Sequence, residues 1–145
     1  MKLPAALLLL AASQVVTEAH AQPDAPAAAA CPRATEVGQR HLLGLWRAQF
    51  EGLARGATLL LEPHPEFTGS VRGAINRDGE RALVAGDVED GEFTLEESVD
   101  GVNISATWTG TVEEDACGTL INGTWQDARD ARQRAFVLRK QPASH

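Results

Sequence analysis

Residues 102–127 read VNISATWTGTVEEDACGTLINGTWQD, and their spacing decides the fold. Over 102–112 the side chains alternate. Val102, Ile104, Ala106, Trp108, Gly110 and Val112 share one face, and Asn103, Ser105, Thr107, Thr109 and Thr111 the other. A period of two built from β-branched and aromatic residues is that of a half-buried strand. After the polar break Glu113-Glu114-Asp115, a second run over 117–127 sets Thr119, Ile121, Gly123 and Trp125 on one face. The two runs predict a long antiparallel hairpin with two of the chain's three tryptophans on its core face.

Outward from this hairpin the same grammar continues. Downstream, Arg134, Phe136 and Leu138 alternate with Ala135, Val137 and Arg139. Upstream, Phe93, Leu95, Glu97 and Val99 share a face, and Asp90-Gly91 and Asp100-Gly101 are turn signals around them. Ala82–Val88 reads as a strand entered through the turn Asn76–Gly79. Before it, Phe67, Gly69, Val71, Gly73 and Ile75 alternate as another, whose glycines imply sharp curvature or a close ligand. Ala57–Leu61 ends at Pro63 and Pro65, which cannot donate to a ladder, and Trp46, Ala48 and Phe50 alternate from Gly44 onward. Residues 32–43 are mixed in polarity, with Thr35 placed to cap a short helical turn. Eight short strands joined by tight turns predict an all-β chain, an eight-stranded antiparallel up-and-down β-barrel. Closure removes the exposed edges of an open sheet. An immunoglobulin-like sandwich needs longer crossing connections than these turns allow.

Residues 1–21 read as an N-terminal signal peptide: Lys2, an apolar run over 7–12, and Ala19-His20-Ala21 as a small-x-small cleavage site. That run is far shorter than the ~20 apolar residues of a membrane span. Residues 22–30, QPDAPAAAA, read as a Pro/Ala-rich spacer, and residues 31–145 as a single domain, long enough for one core and too short for two. Export places the two cysteines in an oxidising compartment, so a Cys31–Cys117 disulfide is expected, pinning the domain's start to the central hairpin. Lipidation at Cys31 is the competing use of that residue, but the apolar run ends well upstream of it. A periplasmic or secreted location follows.

Twenty acids against thirteen Lys/Arg give a formal charge of −7. Twelve Asp/Glu and one Arg fall between Asp78 and Asp115, while 129–140 holds five Arg/Lys and one acid. A surface acidic in that way argues against nucleic acid and anionic membranes as partners. The acidic turns at 87–92 and 113–115 contain no twelve-residue calcium loop, so no metal is expected. No cofactor is expected either. Glu96 and Glu97 fall on opposite strand faces and cannot share a proton, and His41, His64 and His145 are scattered. Nothing points to an enzyme. Asn103-Ile104-Ser105 and Asn122-Gly123-Thr124 match the glycosylation pattern but sit within predicted strands.

Two further stretches carry a family resemblance. Gly44-Leu45-Trp46 on the first strand, with Phe136-Val137-Leu138-Arg139-Lys140 on the last, resembles the calycin barrels. Phe67-Thr68-Gly69-Ser70, Ser105–Gly110 (SATWTG) and Ile121–Trp125 (INGTW) are similar to strands of the avidin/streptavidin branch. The resemblance spans residues 44–140 and implies a closed barrel in which Arg139 or Lys140 packs on Trp46 by cation–π contact. It also implies a ligand-binding interior. Where that branch holds the biotin ureido group with polar side chains, this chain carries Ala48, Ala57 and Val71, and Ile104 and Ala106 stand in for a Ser and a Thr. A buried ureido group without partners costs several kcal/mol, so biotin binding is expected to be lost.

The leading expectation is an exported, non-enzymatic binding protein for a small, mostly apolar ligand. The ligand would lie between Trp108, Trp125, Val71 and Ile104, with edge specificity from Asn122, Thr124 or Arg47. The competing expectation is a periplasmic interaction protein or hydrolase inhibitor. There the barrel is filled, its tryptophans are core, and the acidic 78–115 surface docks a basic protein partner.

Overall fold

The computed structural model describes residues 19–21 and 30–144. The leader expected over 1–18 and the spacer over 22–29 lie outside the described residues. Eight strands run in chain order: β1 Gly44–Phe50, β2 Ala57–Pro63, β3 Val71–Arg77, β4 Glu80–Glu89, β5 Glu92–Ser98, β6 Ala106–Val112, β7 Leu120–Asp127 and β8 Gln133–Lys140. Each pairs antiparallel with the next, and β1 also pairs with β8, Ala48 opposite Leu138, so the sheet closes into an up-and-down barrel.

Alternation dictates which side chains fill the interior. Trp46, Ala48 and Phe50 point in from β1, Leu59 and Leu61 from β2, Phe93 and Leu95 from β5, Ile121 and Trp125 from β7, and all are buried. Trp108 and Trp125 are direct cross-strand partners on one face, and Gly110 and Gly123 form the next inward pair. A Cβ on Gly123 would collide with the Thr109 carbonyl, and one on Gly110 would press on the Phe136 ring at 3.1 Å. Glycine here lets β6 and β7 bend sharply and leaves room for Phe136, which packs edge-on to Trp108 at 4.7 Å. Trp108 is wholly buried, so the middle of the barrel is packed core.

One end of the barrel is plugged. The 3₁₀ turn Ala34–Glu36 and the short helix α1, Gln39–Leu42, lie across it, burying Ala34, Val37 and Leu42. Ala34 packs near Gly91 and Val37 near Gly118, both in turns at that end. The Cys31–Cys117 disulfide fastens this plug to the β6–β7 connection. Trp46, also at this end, donates from Nε1 to the Leu42 carbonyl at 2.7 Å. Lys140 Nζ lies 5.8 Å from its ring centroid and donates to the His41 carbonyl at 2.6 Å, while Arg139 is exposed. Partial burial lowers the Lys140 pKa from its ordinary value.

Two strands are shorter than their alternation predicts. β6 begins at Ala106, and Val102 and Ile104 are exposed loop residues. The Asp100 carboxylate accepts from the Val102 and Asn103 amides at 2.8 and 2.7 Å, which winds the chain into a loop that no ladder continues. Val99, at the end of that expected β5 face, is exposed as well. β3 begins at Val71. Phe67 stands in a turn whose amides at Glu66 and Phe67 donate to His64 Nδ1, each at 3.1 Å. At the N-terminus, Thr35 lies within the 3₁₀ turn, whose cap is Arg33.

Candidate functional site

The end opposite the plug is open. The last inward positions there are Phe50, Ala57, Arg77, Glu97, Ala106, Asp127 and Arg134, set by the register of Glu97 against Ala106 and of Ala57 against Arg77. They surround a cleft of about 580 Å³, within the range of small-molecule sites.

Its floor is a buried ionic cluster. Glu97 follows Phe93 and Leu95 inward along β5 and is 2% exposed. A carboxylate taken out of water costs several kcal/mol unless it is paired and hydrogen-bonded. Glu97 Oε1 accepts from three donors: Trp108 Nε1 at 2.8 Å, Trp125 Nε1 at 3.0 Å and Arg77 Nη2 at 2.8 Å. Arg77 Nη1 reaches Oε2 at 3.5 Å. The two indole donors converge because Trp108, on β6 beside β5, and Trp125, on β7, are directly opposite each other across the β6–β7 ladder. The Arg77 guanidinium in turn lies 5.1 Å from the Phe50 ring centroid and 5.3 Å from that of Trp125. It therefore roofs the aromatic core while its side chain stays 28% exposed to the cleft.

The wall beside it is the β7–β8 turn. Asp127, inward and buried, accepts from the Arg129 amide at 2.8 Å and pairs with Arg129 Nη2 at 3.4 Å and Arg132 Nη2 at 3.8 Å. The Arg129 amide and guanidinium hold its carboxyl below the usual carboxylate range. Arg134 donates to the Glu51 carbonyl at 3.3 Å. Ser105 lines the same cleft, and its Oγ is buried with no hydrogen-bond partner among the described residues.

The residues singled out in the sequence are dispersed. Trp108 and Trp125 meet at Glu97, but only Trp125 borders the cleft. Val71 is buried near the plugged end, where it pairs with Pro63 and Gly86. Ile104 sits on the outer rim of the β5–β6 loop. Asn122 and Thr124 face outward; Asn122 Nδ2 donates to Glu113 Oε1 at 2.5 Å. Arg47 is exposed on the outer face of β1. Arg77 and Glu97 escaped the sequence reading as a pair. The available signal was a charge on the face of Phe93 and Leu95, which has to find a partner inside the barrel.

A second cleft of similar volume lies outside the barrel, against Leu60, Leu83, Val102 and Ile104. Of its charged residues Glu62, Arg72, Arg81 and Glu96 are exposed, while Glu97, which also borders it, turns its carboxylate inward to Arg77 and the two indoles. The open end adds the buried Asp127 and, among the described residues, an unpartnered hydroxyl. Among the described residues, no group of three or more His, Cys, Asp or Glu is placed to hold a metal, and no helix is long and apolar enough to cross a membrane. No protein-family model matches this chain. No curated protein matches it either.

Proposed function

We propose that this chain is an exported, non-enzymatic binding protein that takes a small ligand at the open end of its barrel. The observation that carries this reading is the cleft seated on the Glu97–Arg77–Trp125 cluster, with the orphan Ser105 hydroxyl beside it. Rigid aromatic and ionic groups held in place by one another are the preorganised surface that a binding site requires. The ligand sits above Trp125 and Arg77, because the space between Trp108 and Val71 is filled by core. The disulfide supports export to the periplasm or beyond it, and with it the reading of residues 1–21 as a signal peptide. The Trp46–Lys140 contact beneath a closed eight-stranded barrel supports kinship with calycins of the avidin type. Biotin is not the ligand, since Ala48, Ala57 and Ala106 line the interior towards the open end without a polar atom in their side chains.

Tryptophan fluorescence read against biotin, fatty acids and small aromatic compounds tests the reading. A saturable shift is expected with at least one of the latter two classes and none with biotin; silence from every compound would remove the binding site. A second reading draws support from the packed core: a solid barrel docking a basic protein through exposed carboxylates of β4 and β5 such as Asp87, Glu89 and Glu96. That complex would dissociate as salt is raised.

A further inference from the structure

We infer that the ligand of the open end is a small monoanion with an apolar body, held through Arg132 and Arg134. This rests on the reading of that end as a small-molecule site. The cleft is lined by four arginines, Arg77, Arg129, Arg132 and Arg134, against three carboxylates, Glu80, Glu97 and Asp127. On a chain with twenty acids and thirteen Lys/Arg this is a local reversal of sign. Two of the three carboxylates are also committed, and Glu80 is exposed at the rim. Glu97 is spent on Arg77 and the two indoles, and Asp127 on Arg129, its closer guanidinium partner at 3.4 Å. Arg132 touches Asp127 only at 3.8 Å, and Arg134 meets no carboxylate within 4 Å among the described residues.

Two incompletely neutralised guanidinium groups at the rim of a low-dielectric cleft attract an anion and can grip a carboxylate or sulfonate with paired N–H groups. Asp127 and Glu80 oppose a polyanion, which restricts the ligand to one charge. Leu53 and Val99, apolar and exposed at 42% and 71%, flank the same opening and supply contact for an uncharged body.

Two dyes of nearly the same ring system separate charge from body: 8-anilinonaphthalene-1-sulfonate and neutral N-phenyl-1-naphthylamine. Fluorescence titration is expected to give the sulfonate at least about tenfold the affinity of the neutral dye, as befits charge-assisted hydrogen bonds. R132Q/R134Q should remove that advantage and leave the neutral dye within about twofold. Leu83→Ser, on the outer face, should change neither. Equal affinity of the two dyes, or an unaltered sulfonate affinity in R132Q/R134Q, would overturn the anion inference while leaving a small-ligand site in place. Binding of neither dye, or loss of both in Leu83→Ser, would overturn the site and the inference together.

Discussion

Glu97 is the residue on which the open end turns. Its Oε1 gathers an arginine and two tryptophan N–H groups at 2.8–3.0 Å, so each of those side chains is oriented by the same atom. Removing one partner of a buried ion pair leaves the other unpaired, which typically costs about 3–5 kcal/mol. Arg77→Ala is therefore expected to destabilise the barrel by about that amount in urea unfolding. Glu97→Gln keeps an acceptor for the indoles and leaves Arg77 partly solvated, so it should cost less. In the double variant the stranded charge is gone, and its loss should fall below that of Arg77→Ala alone. A double variant as unstable as the sum of the singles would mean that the pair is not coupled. The inward direction of Glu97 was legible in the sequence from Phe93 and Leu95. Its partner was not, because Arg77 lies twenty residues away and meets it across the interior rather than in a ladder.

At the level of elements, β1, β5, β7 and β8 were readable because inward apolar and outward polar residues alternate along their length. The hairpin of β6 and β7 was readable for the same reason, but its start was not. Val102 and Ile104 continue the period of two in sequence while Asp100 captures the amides of Val102 and Asn103. Local side-chain capping thus won over periodicity. The same competition delays the start of β3 to Val71, with His64 accepting from the amides of Glu66 and Phe67. Ile104 leaves the expected site for the same reason, since only a strand would turn its side chain inward. The disulfide was legible from two cysteines and a leader whose pattern reads as an export signal, and its role appears at the element scale: it holds the 31–43 plug across one end of the barrel. Its ends are 86 residues apart, which in the chain-entropy model corresponds to about 4–5 kcal/mol. Cys31→Ser should melt about 10 °C or more below the native protein, with the barrel's far-ultraviolet signal retained at low temperature. An unchanged melting temperature would show that packing of Ala34, Val37 and Leu42 alone holds the plug.

Across the whole molecule the two ends of the barrel divide their tasks. The plugged end carries the disulfide, the short helix and Trp46 beneath Lys140, and it gives the fold a closed bottom. The other end carries the buried ion pair, the arginine wall and the cleft. Acidic side chains dominate β4 and β5, while four arginines against three carboxylates line the mouth, so the sign there is opposite to that of the chain as a whole. The tryptophans report on the two ends separately, because the Trp46 indole N–H donates to the Leu42 carbonyl while those of Trp108 and Trp125 share Glu97 Oε1. Two-dimensional ¹⁵N–¹H spectra of the indole resonances, recorded during titration with 8-anilinonaphthalene-1-sulfonate, therefore test most directly whether the open end is the binding site. The Trp125 and Trp108 signals are expected to move together and saturate while Trp46 stays fixed; movement of Trp46 alone, or no movement of the Glu97-bound pair, would contradict it.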